Sequence, residues 1–101
     1  MPTLYEYFGL FIYFYSDDHL PIHVHAEYAE RSCKVEFIIN EGKAMEFKFH
    51  QINNRPLLRR SEEKKLRELL NFYSDDVIKK WSMFHILKQQ IKPIKITKKI
   101  K

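Results

Sequence analysis

The stretch SCKVEFIINEGKAMEFKFH, residues 32–50, decides the fold. Cys33, Val35, Phe37 and Ile39 alternate with Lys34 and Glu36. Beyond the turn, Met45, Phe47 and Phe49 alternate with Glu46 and Lys48. Successive strand residues point to opposite faces, so this pattern predicts two strands with one apolar and one wet side. Between them Asn40-Glu41-Gly42 is a hairpin signal, because Gly42 is free to take the left-handed conformation of a tight turn. The strands are therefore expected over 32–39 and 43–50, paired antiparallel.

Upstream lie two more strand-like runs. FGLFIYFY, residues 8–15, is aromatic and β-branched. Leu10, Ile12 and Phe14 would face one way and Phe11, Tyr13 and Tyr15 the other, so this strand is expected at the centre of the sheet or covered on both sides. Ser16-Asp17-Asp18-His19-Leu20-Pro21 breaks it, and a short strand follows from Ile22 to Tyr28. Downstream the period changes. Leu66, Leu69, Leu70 and Tyr73 fall at helical spacing behind Ser61, a good N-cap, with Glu62 and Glu63 in the first turn. Ser74-Asp75-Asp76 repeats that start signal, and Val77, Trp81, Phe84 and His85 continue the stripe. Pro93 ends it, and PIKITKKIK is expected either as a short edge strand or as a loose end. The expected architecture is α+β: a four-stranded antiparallel meander sheet followed by two helices packed on one face. Residues 1–91 form the single domain and residues 92–101 a basic tail, with five lysines in ten positions.

With 101 residues and a net charge of +5, the chain suits one small domain and either a solvated surface or an acidic partner. Cys33 is the only cysteine, which rules out an internal disulfide and fits a reducing cytoplasm. The longest apolar run is well short of the roughly 18 residues of a membrane span, so no membrane partner is expected.

The chemistry-bearing stretch is DDHLPIHVHAEY, residues 17–28, with three of the five histidines. On a strand, His23, His25 and Glu27 share one face and Val24, Ala26 and Tyr28 the other. That arrangement suits general acid–base work or substrate contact by His19, His23 and His25 with Asp18, since imidazole titrates near neutrality. It also suits a metal held by His23 and His25 with a further ligand, and it suits best of all a structural or partner-binding sheet face with no chemistry. The spacing alone leaves all three open, and no metal or other cofactor is expected from it. A histidine-triad nucleotide hydrolase is not indicated, because the longer His alternation and a Gly-rich phosphate loop are missing. Arg55, Arg59, Arg60 and Lys64, with Lys65 and Arg67, form a basic cluster fit to follow a nucleic-acid backbone. Glu62, Glu63 and Glu68 interrupt it, as they would on an ordinary solvated helix face. His50 and His85 are isolated and suggest no role.

Met1, Pro2, Phe8, Gly9, Asp18, His19, Pro21, His23, His25, Ala26 and Tyr28 together resemble the opening of a bacterial family, domain of unknown function 4160. Strands followed by helices, a Trp late in the helices (Trp81) and a basic KPIKI are similar too. Ile22 and Val24 stand where that family has a second Pro and an aromatic. The resemblance implies a toxin role in a two-gene toxin–antitoxin module. The partner would be a small antitoxin-like protein from a neighbouring gene, and the target RNA or the translation machinery. The other readings are a non-catalytic protein-interaction or nucleic-acid-binding module, docking through the sheet edge or the face bearing Tyr13 and Tyr15, and a small metal-binding protein.

Overall fold

A computed structural model describes residues 3–15 and 21–100 of the chain. Their elements are β1 (Thr3–Tyr7), β2 (Leu10–Tyr13), β3 (His23–Tyr28), β4 (Arg31–Asn40), β5 (Lys43–His50), α1 (Arg60–His85) and β6 (Ile94–Ile96). The strands form one sheet in the order β5-β4-β3-β2-β1-β6. Neighbours are antiparallel except β6, which runs parallel to β1. The class is α+β, with six strands and one helix among the described residues in place of four and two.

Three causes account for the difference. First, the aromatic run 8–15 is not one strand. Tyr7 pairs directly with Leu10, and Phe8 and Gly9 form the two-residue turn between them, at φ 45° and 90°. Both central residues of such a turn need positive φ, and Gly9 is what permits it. A Cβ there would also lie 2.8 Å from the Tyr28 ring. Second, Ser74-Asp75-Asp76 does not start a new helix. The Asp76 carboxylate accepts the Tyr5 hydroxyl and meets Lys80 Nζ at 3.1 Å, while Val77 and Trp81 extend the stripe of Leu66, Leu69 and Leu70 into the core. One 26-residue helix results, and its N-cap is Arg59 rather than Ser61. Third, of the two expectations for the C-terminal segment, the short edge strand holds: it contributes β6, and the Ile100 N–H donates to the Tyr7 hydroxyl at 3.1 Å.

The core lies between α1 and one face of the sheet. Leu10, Ile12, Val24, Ala26, Cys33, Val35 and Phe37 meet Leu66, Leu69, Leu70, Val77 and Trp81, all buried. Cys33 is inward as expected. Burial, aided by the Glu63 charge, pushes its thiol up to about 12, so it stays protonated and unreactive. Met45 departs from its expected inward position. Ile39 pairs with Ala44 and Ile38 with Glu46, so Met45 is the extra residue of a β-bulge and stands 67% exposed. Ala44, Phe47 and Phe49 pack against the core instead.

At the start of α1 the Glu62 carboxylate accepts the Arg59 backbone N–H at 2.8 Å. It also takes a two-pronged contact from Arg31, with Nε at 2.8 Å and Nη2 at 2.5 Å. That fork lashes the helix to the β3–β4 turn. The Arg31 bonds, joined by the one from Arg59, outweigh burial and hold the Glu62 carboxyl down at about 2.

Candidate functional site

The face of the sheet turned away from α1 carries the polar chemistry. Strand pairing lines its residues up in rows. One row is Tyr13, His25, Lys34 and His50; the next is His23, Glu36 and Lys48; on the other side come Phe11, Glu27 and Ser32. His23, His25 and Glu27 share this face and Val24 and Ala26 the opposite one, as strand alternation requires.

The centre is an aromatic cluster. The His25 ring stacks on Tyr13 at 5.4 Å and 15°. Tyr15 and His23 meet it edge-on at 4.6 and 5.3 Å. Tyr13 is 2% exposed and His25 8%, so the middle of this face is close-packed, while Phe11 and Tyr15 are 42% and 40% exposed at its margins. The neighbouring polar groups are tied in series. The Tyr13 hydroxyl donates to Glu27 Oε2 at 3.3 Å, and Glu27 Oε1 meets Arg55 Nη2 at 3.6 Å. Burial first, then the Tyr15 hydroxyl and the Glu27 charge, push the Tyr13 hydroxyl well above its ordinary pKa, with Arg55 opposing. It therefore keeps its proton and remains a donor at neutral pH. Nδ1 of His23 lies 3.0 Å from the Pro21 carbonyl oxygen. A carbonyl oxygen only accepts, so Nδ1 donates, and in the neutral ring the lone pair sits on Nε2.

Of the residues singled out in the sequence, His23 and His25 come together and Arg55 reaches the same face through Glu27. His19 and Asp18 lie outside the described residues. Arg59, Arg60 and Lys64 do not join the histidines. They sit at the start of α1, the helix packed on the other face, with Arg60 and Lys64 exposed. The basic cluster is therefore split between the two faces. Lys65 and Arg67 cover aromatic rings, Lys65 above Tyr28 at 5.9 Å and Arg67 above Phe49 at 4.3 Å. Among the described residues, no group of three His, Cys, Asp or Glu is placed to hold a metal ion.

Two histidines passed over in the sequence acquire places. His50 lies one strand from Glu36, its Nε2 at 3.3 Å from Oε1. Carrying the alternation of Glu46 and Lys48 one step further would have put it on this face. His85 ends α1, stacked on Trp81 at 4.2 Å. Its Nε2 lies 2.9 Å from the Tyr15 carbonyl oxygen, and its Nδ1 3.1 Å from that of Trp81. The Trp81 contact is local, four residues back along the helix, whereas the Tyr15 contact spans 70 residues and no sequence spacing announces it. Through it the helix terminus fixes the backbone of Tyr15, whose ring packs on His25.

No helix among the described residues is long and apolar enough to cross a membrane. No curated protein and no solved structure matches the chain. The model of one family, described as Domain of unknown function (DUF4160), matches residues 9–82, which takes in β2 to β5 and α1 as far as Ser82. The chain belongs to the DUF4160 family.

Proposed function

We propose that this protein is a cytoplasmic growth-inhibiting component of a two-gene module and that it acts by binding single-stranded RNA across the helix-free face of its sheet. The observation that carries the reading is the gathering of His23, His25, His50, Tyr13 and Tyr15 with Lys34, Lys48 and Arg55 on one surface. Exposed aromatic rings at the margins offer stacking planes for unpaired bases. The lysines and Arg55 match a phosphate backbone. The histidines, whose ring nitrogens can donate or accept, contact the strand between these two kinds of group.

The test pairs a cellular and a physical measurement. Inducible expression of the wild type should arrest growth, and His23→Ala with His25→Ala should relieve the arrest. The same double variant should bind a fluorescent oligouridylate at least about tenfold more weakly, at the one or two stacking and polar contacts it loses. Equal arrest and equal binding by both proteins would remove this face from the function.

A further inference from the structure

We propose that β5 is a self-association edge, through which two copies of this chain pair antiparallel about a two-fold axis at Phe47. Among the described residues, β5 is paired on one side only, by β4, and it ends the sheet. The opposite edge is β6, three residues against the eight of β5. An unpaired strand presents a row of N–H and C=O groups to any strand that can approach it. Side chains then decide which strand does.

A two-fold axis perpendicular to the sheet brings like positions together, so the residue on the axis meets its own copy and its neighbours meet in crossed pairs. With the axis at Phe47, Glu46 stands opposite Lys48 of the second copy, and Lys48 opposite Glu46 of the second copy. Phe47 meets Phe47 on the helix side, where its ring already packs on Phe37 at 4.9 Å and is only partly covered. Aromatic and opposite-charge pairs are the favourable cross-strand combinations. Moving the axis by one residue destroys this match: at Glu46 two carboxylates face each other, and at Lys48 two ammonium groups do. Edge lysines ordinarily repel further strands. Here Glu46 and Lys48 are both exposed and on one face, so the edge is complementary to itself. The bulge at Met45 ends regular pairing on one side, which keeps the contact short and the dimer reversible. The two helix-free faces then continue into one surface across the seam. This proposal stands apart from the RNA reading and its test does not use RNA.

Sedimentation equilibrium of the intact chain at rising concentration is the experiment. The expected result is a monomer–dimer equilibrium that loosens between low and high salt, as screened ion pairs must. Glu46→Lys alone and Lys48→Glu alone each set like charges opposite one another, and each should weaken dimerisation about tenfold or more. The exchange Glu46→Lys with Lys48→Glu restores the pairs and should restore the dimer. Both substituted positions are on the exposed side of the edge, and far-ultraviolet dichroism confirms that each variant is folded. A wild type that stays monomeric throughout overturns the proposal. So does a dimer that survives both single reversals, or an exchange variant that fails to recover.

Discussion

Two buried tyrosines on neighbouring strands show how differently the two faces of this sheet are used. Tyr5 points toward α1, is fully buried, and donates its hydroxyl to Asp76 on the helix. Tyr13 points away from α1, is 2% exposed, and donates to Glu27 on the adjoining strand. The helix-side polar groups cross from one layer to the other: Tyr5 to Asp76 and Lys80, Arg31 to Glu62. They hold the layers in register. The pairs of the opposite face, Tyr13 with Glu27, Glu27 with Arg55 and His50 with Glu36, join a strand to the next strand or loop and bear no helix. Chemistry on that face is thereby separated from the contacts that close the core. The separation makes a quantitative claim: substitutions on the helix side should cost stability, and those on the histidine face should cost little.

The largest effect should come from Trp81→Ala. Trp81 is 2% exposed at the centre of the apolar cluster, and a truncation of that size leaves a cavity the neighbours only partly fill. A loss of about 3–5 kcal/mol is expected, read from the urea midpoint at unchanged slope. His25→Ala, which removes a ring stacked on Tyr13 and met edge-on by Tyr15, should cost no more than about 1.5 kcal/mol, the usual scale of an aromatic pair. Equal losses from the two would break the distinction between the faces.

Glu62→Gln comes next and adds a pH signature. The folded carboxyl titrates at about 2, below its ordinary value of 4.5. Between those values the unfolded chain binds the proton that the folded one refuses. The stabilisation from Glu62 is therefore complete above about pH 4.5 and disappears as pH falls toward 2. The wild type should lose stability across that window, and Glu62→Gln should start lower and fall less steeply. Some slope should remain in the variant, from Asp76. Burial works to raise its pKa, but the Tyr5 and Lys80 bonds prevail and hold it below the usual carboxylate range. Thermal midpoints at half-unit steps of pH measure both slopes. Parallel curves would mean that Arg31 does not discriminate between the charged and neutral side chain.

What could be read in advance follows from the range of the forces involved. The alternation of Cys33, Val35 and Phe37, the Gly42 turn and the shared face of His23 and His25 are local, and strand geometry alone settles them. The turn at Phe8–Gly9 was masked by apolar residues on both sides, since the two halves of an aromatic hairpin look like one long strand. Ser74-Asp75-Asp76 carries every mark of a helix start, and only the Tyr5 hydroxyl, 71 positions away, shows why Asp76 is wanted inside a helix. Met45 has the right parity for the core, and a single inserted position turns it out. The site divides in the same way. The histidine pair is visible in the chain, but Arg55 reaches it through a loop and His50 through two strand pairings, and both depend on the assembled sheet.

The sharpest test of the comparison comes from the two tyrosines themselves, and Tyr13→Phe should give the smallest effect of all. Tyr5→Phe removes a hydroxyl bonded to a charged carboxylate on the other layer. It leaves Asp76 with Lys80 alone, so a loss of about 1.5–3 kcal/mol is expected. Tyr13→Phe removes a longer bond, 3.3 Å, to a Glu27 that keeps Arg55 as its partner and is itself half-buried. Its loss should fall below about 1 kcal/mol, since the acceptor is not left stranded. The stacked ring is retained, so oligouridylate binding should also hold within a factor of about two. If Tyr13→Phe instead costs as much as Tyr5→Phe, the Tyr13–Glu27–Arg55 chain is a structural strut. The histidine face would then be part of what keeps the molecule folded rather than a surface set aside from it.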